Sequence, residues 1–370
     1  MNDLQQFKGG GRVNNLNLIR LFAAFQVLVG HLHNTFAMPE CIRYISCFNG
    51  VPIFFTISGF LIYWSYDNNP NVKTYTRNRF LRIYPALLCA FAVTIVLLLS
   101  FGILTFGEMF SSSFVLWVGA QLTFVQEFAP TFIRGFGGSA APNPVLWTIS
   151  VEMLLYVMIP VLYTAIQKFN RNNKALIILI LGLASYAENQ TGIVATFLNG
   201  LSGNGYYIIF IHPFLQFASF FWYFCIGIEV YLYRDKVIPL LSGRAIYLLA
   251  IYLMLCSGAY YAGYDPGNYS PRSVELLAHL LLVACIFSFA YTKPDFTQKL
   301  IGKTDISYGL YIYHDLVLHS FYEMGLIEYV YLIPAIMLSF FVAWLSWTFV
   351  EKRALQLKKS SLYKISLSQQ

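Results

Sequence analysis

The sequence predicts an all-α polytopic membrane protein of about ten transmembrane helices with both termini cytoplasmic. Three observations carry this: an apolar composition, apolar runs of about 20 residues repeated along the whole length, and basic residues gathered on one side of those runs. Of 370 residues, 58% are hydrophobic and 11% charged, whereas a soluble domain is about a quarter charged. Mean hydropathy is +0.59. Water is not the main solvent of such a chain.

Taken in order, the runs fall near residues 16–36, 49–66, 84–105, 146–166, 174–188, 206–233, 244–263, 273–291, 305–325 and 329–350. The first follows a polar leader, contains Arg20 and lacks a small-residue cleavage site, so it reads as a retained span and not a signal peptide. The fifth is short for a crossing. Between the third and fourth lies the longest loop, Phe106 to Pro144, whose apolar middle, Phe114 to Phe128, reads as an interfacial or re-entrant helix. Its tail from Gly135 to Pro144 is rich in Gly and Pro and predicts irregular backbone. The organisation expected is a cytoplasmic leader at 1–15, one membrane domain at 16–352 and a short cytoplasmic tail at 353–370. No internal repeat is visible, which speaks against the two-half architecture of many transporters.

Orientation follows from the loops. Of the 24 Lys and Arg residues, 21 fall on one side of the predicted spans, leaving only Arg43, Arg134 and Arg272 on the other. By the positive-inside rule the rich side is cytoplasmic. The formal charge of +7 is therefore a topology signal, since no basic run interleaved with aromatics suggests nucleic acid. Among six cysteines there is no CxxC metal spacing. Cys89, Cys225, Cys256 and Cys285 sit in apolar runs as small buried hydrophobes, while Cys41 and Cys47 share an external loop where a disulfide is compatible with the compartment. The tyrosines of the Tyr260–Arg272 loop suit either the aromatic belt at headgroup level or sugar stacking.

Ionisable residues inside a span cost roughly 2.5–3.5 kcal/mol each on insertion scales, so each one needs a reason. Arg20 and His31 stand eleven residues apart in the first span, about three turns, which places them on one helix face about 16 Å apart along the axis. Snorkelling would explain the arginine and an interhelical hydrogen bond the histidine. Glu152 enters from the opposite side and cannot snorkel easily, and its estimated depth matches that of His31. A carboxylate beside an imidazole would fix its tautomer and raise its basicity, as a general base requires. His212, before the kinking Pro213, falls at a similar depth and suits core packing better. Arg77, Arg79 and Arg82 crowd before the third span, where they serve topology, anionic lipid or a phosphate-bearing cofactor such as coenzyme A. Ser58 and Gly59 supply small residues for a close helix or a narrow ligand.

In order along the chain, Arg20-x10-His31, FFTISGFL at 54–61, RNRFLRIYP at 77–85, LWTISVEMLLY at 146–156, SYGLYIYH at 307–314 and FVEKRAL at 349–355 resemble the type-3 membrane acyltransferase family, O-acetyltransferases of surface glycans. The resemblance implies an acyltransferase-3 fold, an acyl-CoA donor, most simply acetyl-CoA, on the cytoplasmic side, and a lipid-linked or exported carbohydrate acceptor outside. It also implies His31 as the catalytic residue with Arg20 as its helical partner, Glu152 as an acid of its motif, and Arg79 and Arg82 near the donor phosphates. To these we add Arg77 and Ser58 at the donor, and Trp147, Tyr156 and His314 at the substrate. No metal is expected. His33, two residues past His31, points elsewhere on a helix and is not given the catalytic role. The chain closes soon after its last span, so direct delivery to the acceptor is the simpler expectation. A transporter or flippase of a glycan or acyl precursor is the alternative, though few intramembrane acids are present for ion coupling.

Overall fold

The computed structural model describes residues 14–36, 44–45, 47–201, 206–302 and 304–358. Among these there is no β-strand. The helices are α1 Leu16–Thr35, α2 Gly50–Asn68, α3 Val72–Ser100, α4 Ser112–Gln121, α5 Trp147–Ile166, α6 Arg171–Thr191 and α7 Ile193–Leu201. There follow α8 Tyr206–Leu232, α9 Arg234–Leu241, α10 Ala245–Tyr261, α11 Val274–Tyr291, α12 Phe296–Ile301, α13 Ser307–Glu323 and α14 Leu332–Ser346.

Six stretches are long and apolar enough to cross a membrane: Leu16–Thr35, Val72–Ser100, Pro144–Ile166, Ile211–Leu232, Val274–Tyr291 and Tyr329–Lys358. The pair α9 and α10, bent by 81°, makes a seventh if taken as one span. The remaining three runs of the sequence are helices α2, α6 and α13, which fall short by length or composition. For α13 the cause is plain. It buries 14 of its 17 residues, among them Ser307, His314, Asp315 and His319, so its polar side chains face protein and not lipid. It packs on α1, α3 and α14, at the centre of the bundle.

Helix α3 starts well before the predicted residue 84. The side chain of Asn71 accepts a hydrogen bond from the Thr74 amide at 2.9 Å and caps it, and the helix then runs through Pro85 to Ser100. The three arginines consequently lie on its first turns. The long loop contains α4, capped by Ser111 and shorter than the predicted apolar stretch, followed by single turns at Thr131–Ile133, Phe136–Gly138 and Pro144–Leu146. Its irregular tail docks on α13. Asn143 donates to the Ile312 carbonyl at 2.9 Å, and the Gly137 amide donates to Glu323 at 2.8 Å. Gly137 has φ of 65°, and a Cβ there would strike the His319 ring, so both conformation and space demand glycine.

Two helix junctions are locked by amides. Asn15 donates to the carbonyls of Phe289 and Lys293 and accepts from the amide and hydroxyl of Thr297 at 2.9 Å, tying the start of α1 to α11 and α12. Gln26 accepts from the Gly50 amide at 2.6 Å and so satisfies an orphan donor of α2. Where α2 crosses α8, Gly59 lies against the backbone of Phe224, and Gly227 against the backbone of Thr56. After α14 the helix widens into a π-turn at Trp347–Glu351. There the buried Glu351 accepts from Ser346 at 3.1 Å and approaches Gly309 of α13.

Cys47 is a buried free thiol, and Cys89, Cys225, Cys256 and Cys285 are free as well. Cys41 lies outside the described residues, as do residues 1–13 and 359–370 at the two predicted cytoplasmic ends. Of the external tyrosines, Tyr261 is almost wholly exposed, while Tyr269 packs edge-on against Phe220 at 5.9 Å.

Candidate active site

Arg20 and His31 share the continuous helix α1. His31 is half-buried, and its Nδ1 meets Asp315 Oδ1 of α13 at 2.7 Å. With the carboxylate as acceptor, Nδ1 carries the proton and Nε2 is left with a free lone pair. Beside it stands His314, whose ring meets that of His31 edge-on at 5.1 Å. Nδ1 of His314 donates to the Leu310 carbonyl at 3.0 Å, so its Nε2 is also an acceptor. That atom is buried and bonded to nothing, as is Oδ2 of Asp315.

The acid that reaches His31 is thus Asp315, in place of the expected Glu152. Glu152 instead accepts from Tyr156 at 2.7 Å and from Ser58 at 3.3 Å. Together with Arg20, Ser307, Tyr308 and Tyr311 it lines a cavity of about 30 Å³, room for a water or two. Nε of Arg20 is buried there without a partner. Three expected site residues, Arg20, Ser58 and Glu152, therefore share one inner cavity, and Tyr156 closes it.

The three arginines of α3 diverge. Arg82 donates to Asp305 at 2.8 Å in a largely buried ion pair. Arg77 donates to the Leu357 carbonyl at 2.9 Å. Arg79 lies 5.4 Å from the ring centres of both Tyr75 and Tyr156. Trp147 stacks in an aromatic cluster with Phe55 and Phe220. His212 pairs with Glu127 at 2.5 Å, Gln216 donates to the same carboxylate, and together they fasten the long loop to α8. His33 is exposed.

The family model described as an acyltransferase domain matches residues 13–350, which takes in every helix from α1 to α14. The chain belongs to the type-3 membrane acyltransferase family. The chain is 29% identical over 367 residues to nodulation protein 10 of Rhizobium leguminosarum bv. viciae, covering 95% of each. It is 26% identical over 364 residues to the O-acetyl transferase of Shigella phage Sf6, covering 92% of this chain and 96% of that one. Over 168 residues it is 30% identical to acyltransferase MdmB of Streptomyces mycarofaciens, covering 42% and 41% of the two chains. No solved structure matches.

This protein is an acyltransferase of the membrane, and three of its charged side chains were not found by sequence reasoning: Asp315, Asp305 and Glu351. Asp315 had a visible signal, an acid directly after the expected His314 in an apolar run. His31, His314 and Asp315 each offer a ligand atom within 4.8 Å of the others and could hold a metal ion. A metal between His31 and Asp315 would have to displace the hydrogen bond joining them. In the acyltransferase, Arg82→Ala is expected to destabilise the fold by roughly 3–5 kcal/mol, because Asp305 is left as a buried unpaired charge. The check is thermal unfolding in detergent beside Arg82→Ala/Asp305→Ala, which restores part of the loss. Equal melting of the single variant and the parent would show the pair to be idle.

Proposed function

We propose that the acyltransferase moves an acyl group, acetyl in the simplest case, from acyl-CoA on the cytoplasmic side to a hydroxyl of a surface or exported glycan on the outer side. The reading assumes ten crossings with both termini in the cytoplasm, the three helices α2, α6 and α13 spanning inside the protein, and residence in a bacterial inner membrane. Its main support is the hydrogen bond from His31 to Asp315 at 2.7 Å, the orientation a general base needs. The name of the phage relative, an O-acetyl transferase, agrees with transfer to oxygen.

The donor's pantetheine arm is taken to pass along the cavity of Arg20, Ser58 and Glu152, with Arg77 meeting donor phosphates at the cytoplasmic mouth. Acceptor hydroxyl and thioester meet at His31. Nε2 removes the hydroxyl proton as the oxygen attacks the thioester carbonyl, forming a tetrahedral oxyanion. Collapse breaks the carbon–sulfur bond, and the coenzyme A thiolate takes the proton back from His31. His314, with its Nε2 lone pair beside the reaction, is suited to accept a hydrogen bond from the acceptor sugar; Trp147 and Tyr156 lie deeper as walls.

The test is purified protein in vesicles with labelled acetyl-CoA inside and a glycan acceptor outside. Label is expected on the glycan, with none retained on protein after an acid quench. Movement of intact donor or glycan across the vesicle with no covalent transfer would make the protein a transporter and end this reading.

A further inference from the structure

A second and larger cavity lies outside the acyltransferase site. Between α3 and α5 runs an open groove of about 850 Å³, within the range of ligand-binding pockets. Its walls are apolar: Phe80 and Ile83 from α3, and Met153, Val157, Pro160 and Val161 from α5. Phe80, Val157 and Val161 are more than half exposed, so the groove opens sideways towards the hydrocarbon.

Two polar groups break this surface, and both lack partners. Nε of Arg79 is buried without a hydrogen bond, as is the hydroxyl of Tyr75, a residue only 5% exposed. Arg79 forms no ion pair among the described residues; its guanidinium rests over the rings of Tyr75 and Tyr156. A cation and an O–H donor at the basic end of an apolar groove require an anion joined to a hydrocarbon chain.

We propose that this groove holds a resident anionic phospholipid, its phosphate on Arg79 and Tyr75 and one acyl chain along Phe80, Ile83, Val157 and Val161. Coenzyme A fits poorly, because its adenosine and amides would lie unsatisfied on these apolar walls. A zwitterionic lipid fits less well than an anionic one. Its amine would need a carboxylate, and the nearest acid, Glu152, faces the inner cavity and is occupied by Tyr156 and Ser58. The lipid would sit against Tyr156, whose hydroxyl reaches the catalytic cavity through Glu152 at 2.7 Å. One side chain thus separates lipid from donor path.

The experiment equilibrates the full-length protein with equimolar phosphatidylglycerol and phosphatidylethanolamine, followed by native mass spectrometry. We expect one retained phosphatidylglycerol per chain and at least a fivefold preference over phosphatidylethanolamine. Arg79→Gln should lose the preference, Tyr75→Phe should weaken retention several-fold, and Val157→Trp, which fills the groove from an exposed position, should abolish it. Melting temperatures of the three variants serve to confirm folding. Equal retention of the two lipids by the parent, or undiminished retention by both Arg79→Gln and Val157→Trp, overturns the proposal. So does stoichiometric displacement of the lipid by acetyl-CoA, which would make the groove the donor's.

Discussion

His31→Ala lowers acyl transfer by at least about 10³-fold while the protein still inserts and melts as the parent does, since the general base contributes roughly 10²–10⁴ and here also orients the attack. Asp315→Asn falls by a comparable factor, roughly 10²–10⁴. Asparagine keeps the shape but can present an N–H to Nδ1, so the imidazole turns to the tautomer whose Nε2 bears hydrogen. The base is then lost without any loss of packing. His33→Ala, on an exposed face of the same helix, leaves the rate unchanged. Glycan labelling in vesicles reads all three. A His31→Ala protein that retains a tenth of parental activity would remove His31 from the chemistry.

Gly227→Val prevents α2 and α8 from closing, and no monodisperse protein is recovered in detergent. The Cβ that valine adds falls on the Thr56 carbonyl and the Phe60 amide, backbone atoms that cannot swing aside. The same holds in the other direction for Gly59 against Phe224. Helices in a membrane associate by packing, so losing the closest approach removes the contact itself. Gly258→Val serves as the comparison, because nothing lies within 4 Å of a Cβ at that position. Size-exclusion profiles and melting curves decide it: if Gly227→Val melts within about 3 °C of the parent, the crossing is softer than its geometry implies.

Much of the helical layout was readable because apolar run length is set by the bilayer, a constraint that acts on every segment separately. Each predicted span has a helix at its centre. The start of α3 was not readable from hydropathy, because its first turns, with Arg77, Arg79 and Arg82, are helical without being apolar. The site divides in the same way. Arg20 and His31 share one helix, so their common face follows from rise and period alone. Glu152 was matched to His31 by depth, but depth is a coordinate along the membrane normal. Whether two groups meet also depends on which helices are neighbours. The sequence carries no repeat from which to infer that order, and the structure sets α13 against α1, bringing Asp315 to His31 and leaving Glu152 with Tyr156. Asp305 escaped notice for a related reason: its partner Arg82 is 223 positions away.

The π-turn at Trp347–Glu351 is an α-helix holding one residue more than its turn should contain. Deleting a residue there would restore the ordinary winding and rotate everything downstream by about 100°. Glu351 would leave Ser346 and Gly309, and a different carbonyl would arrive where Leu357 now receives Arg77. No single side chain in that segment carries as much as its reading frame does. The final helix is held in phase with the bundle by the surplus residue, so substitutions there should be borne far more easily than a change of length by one.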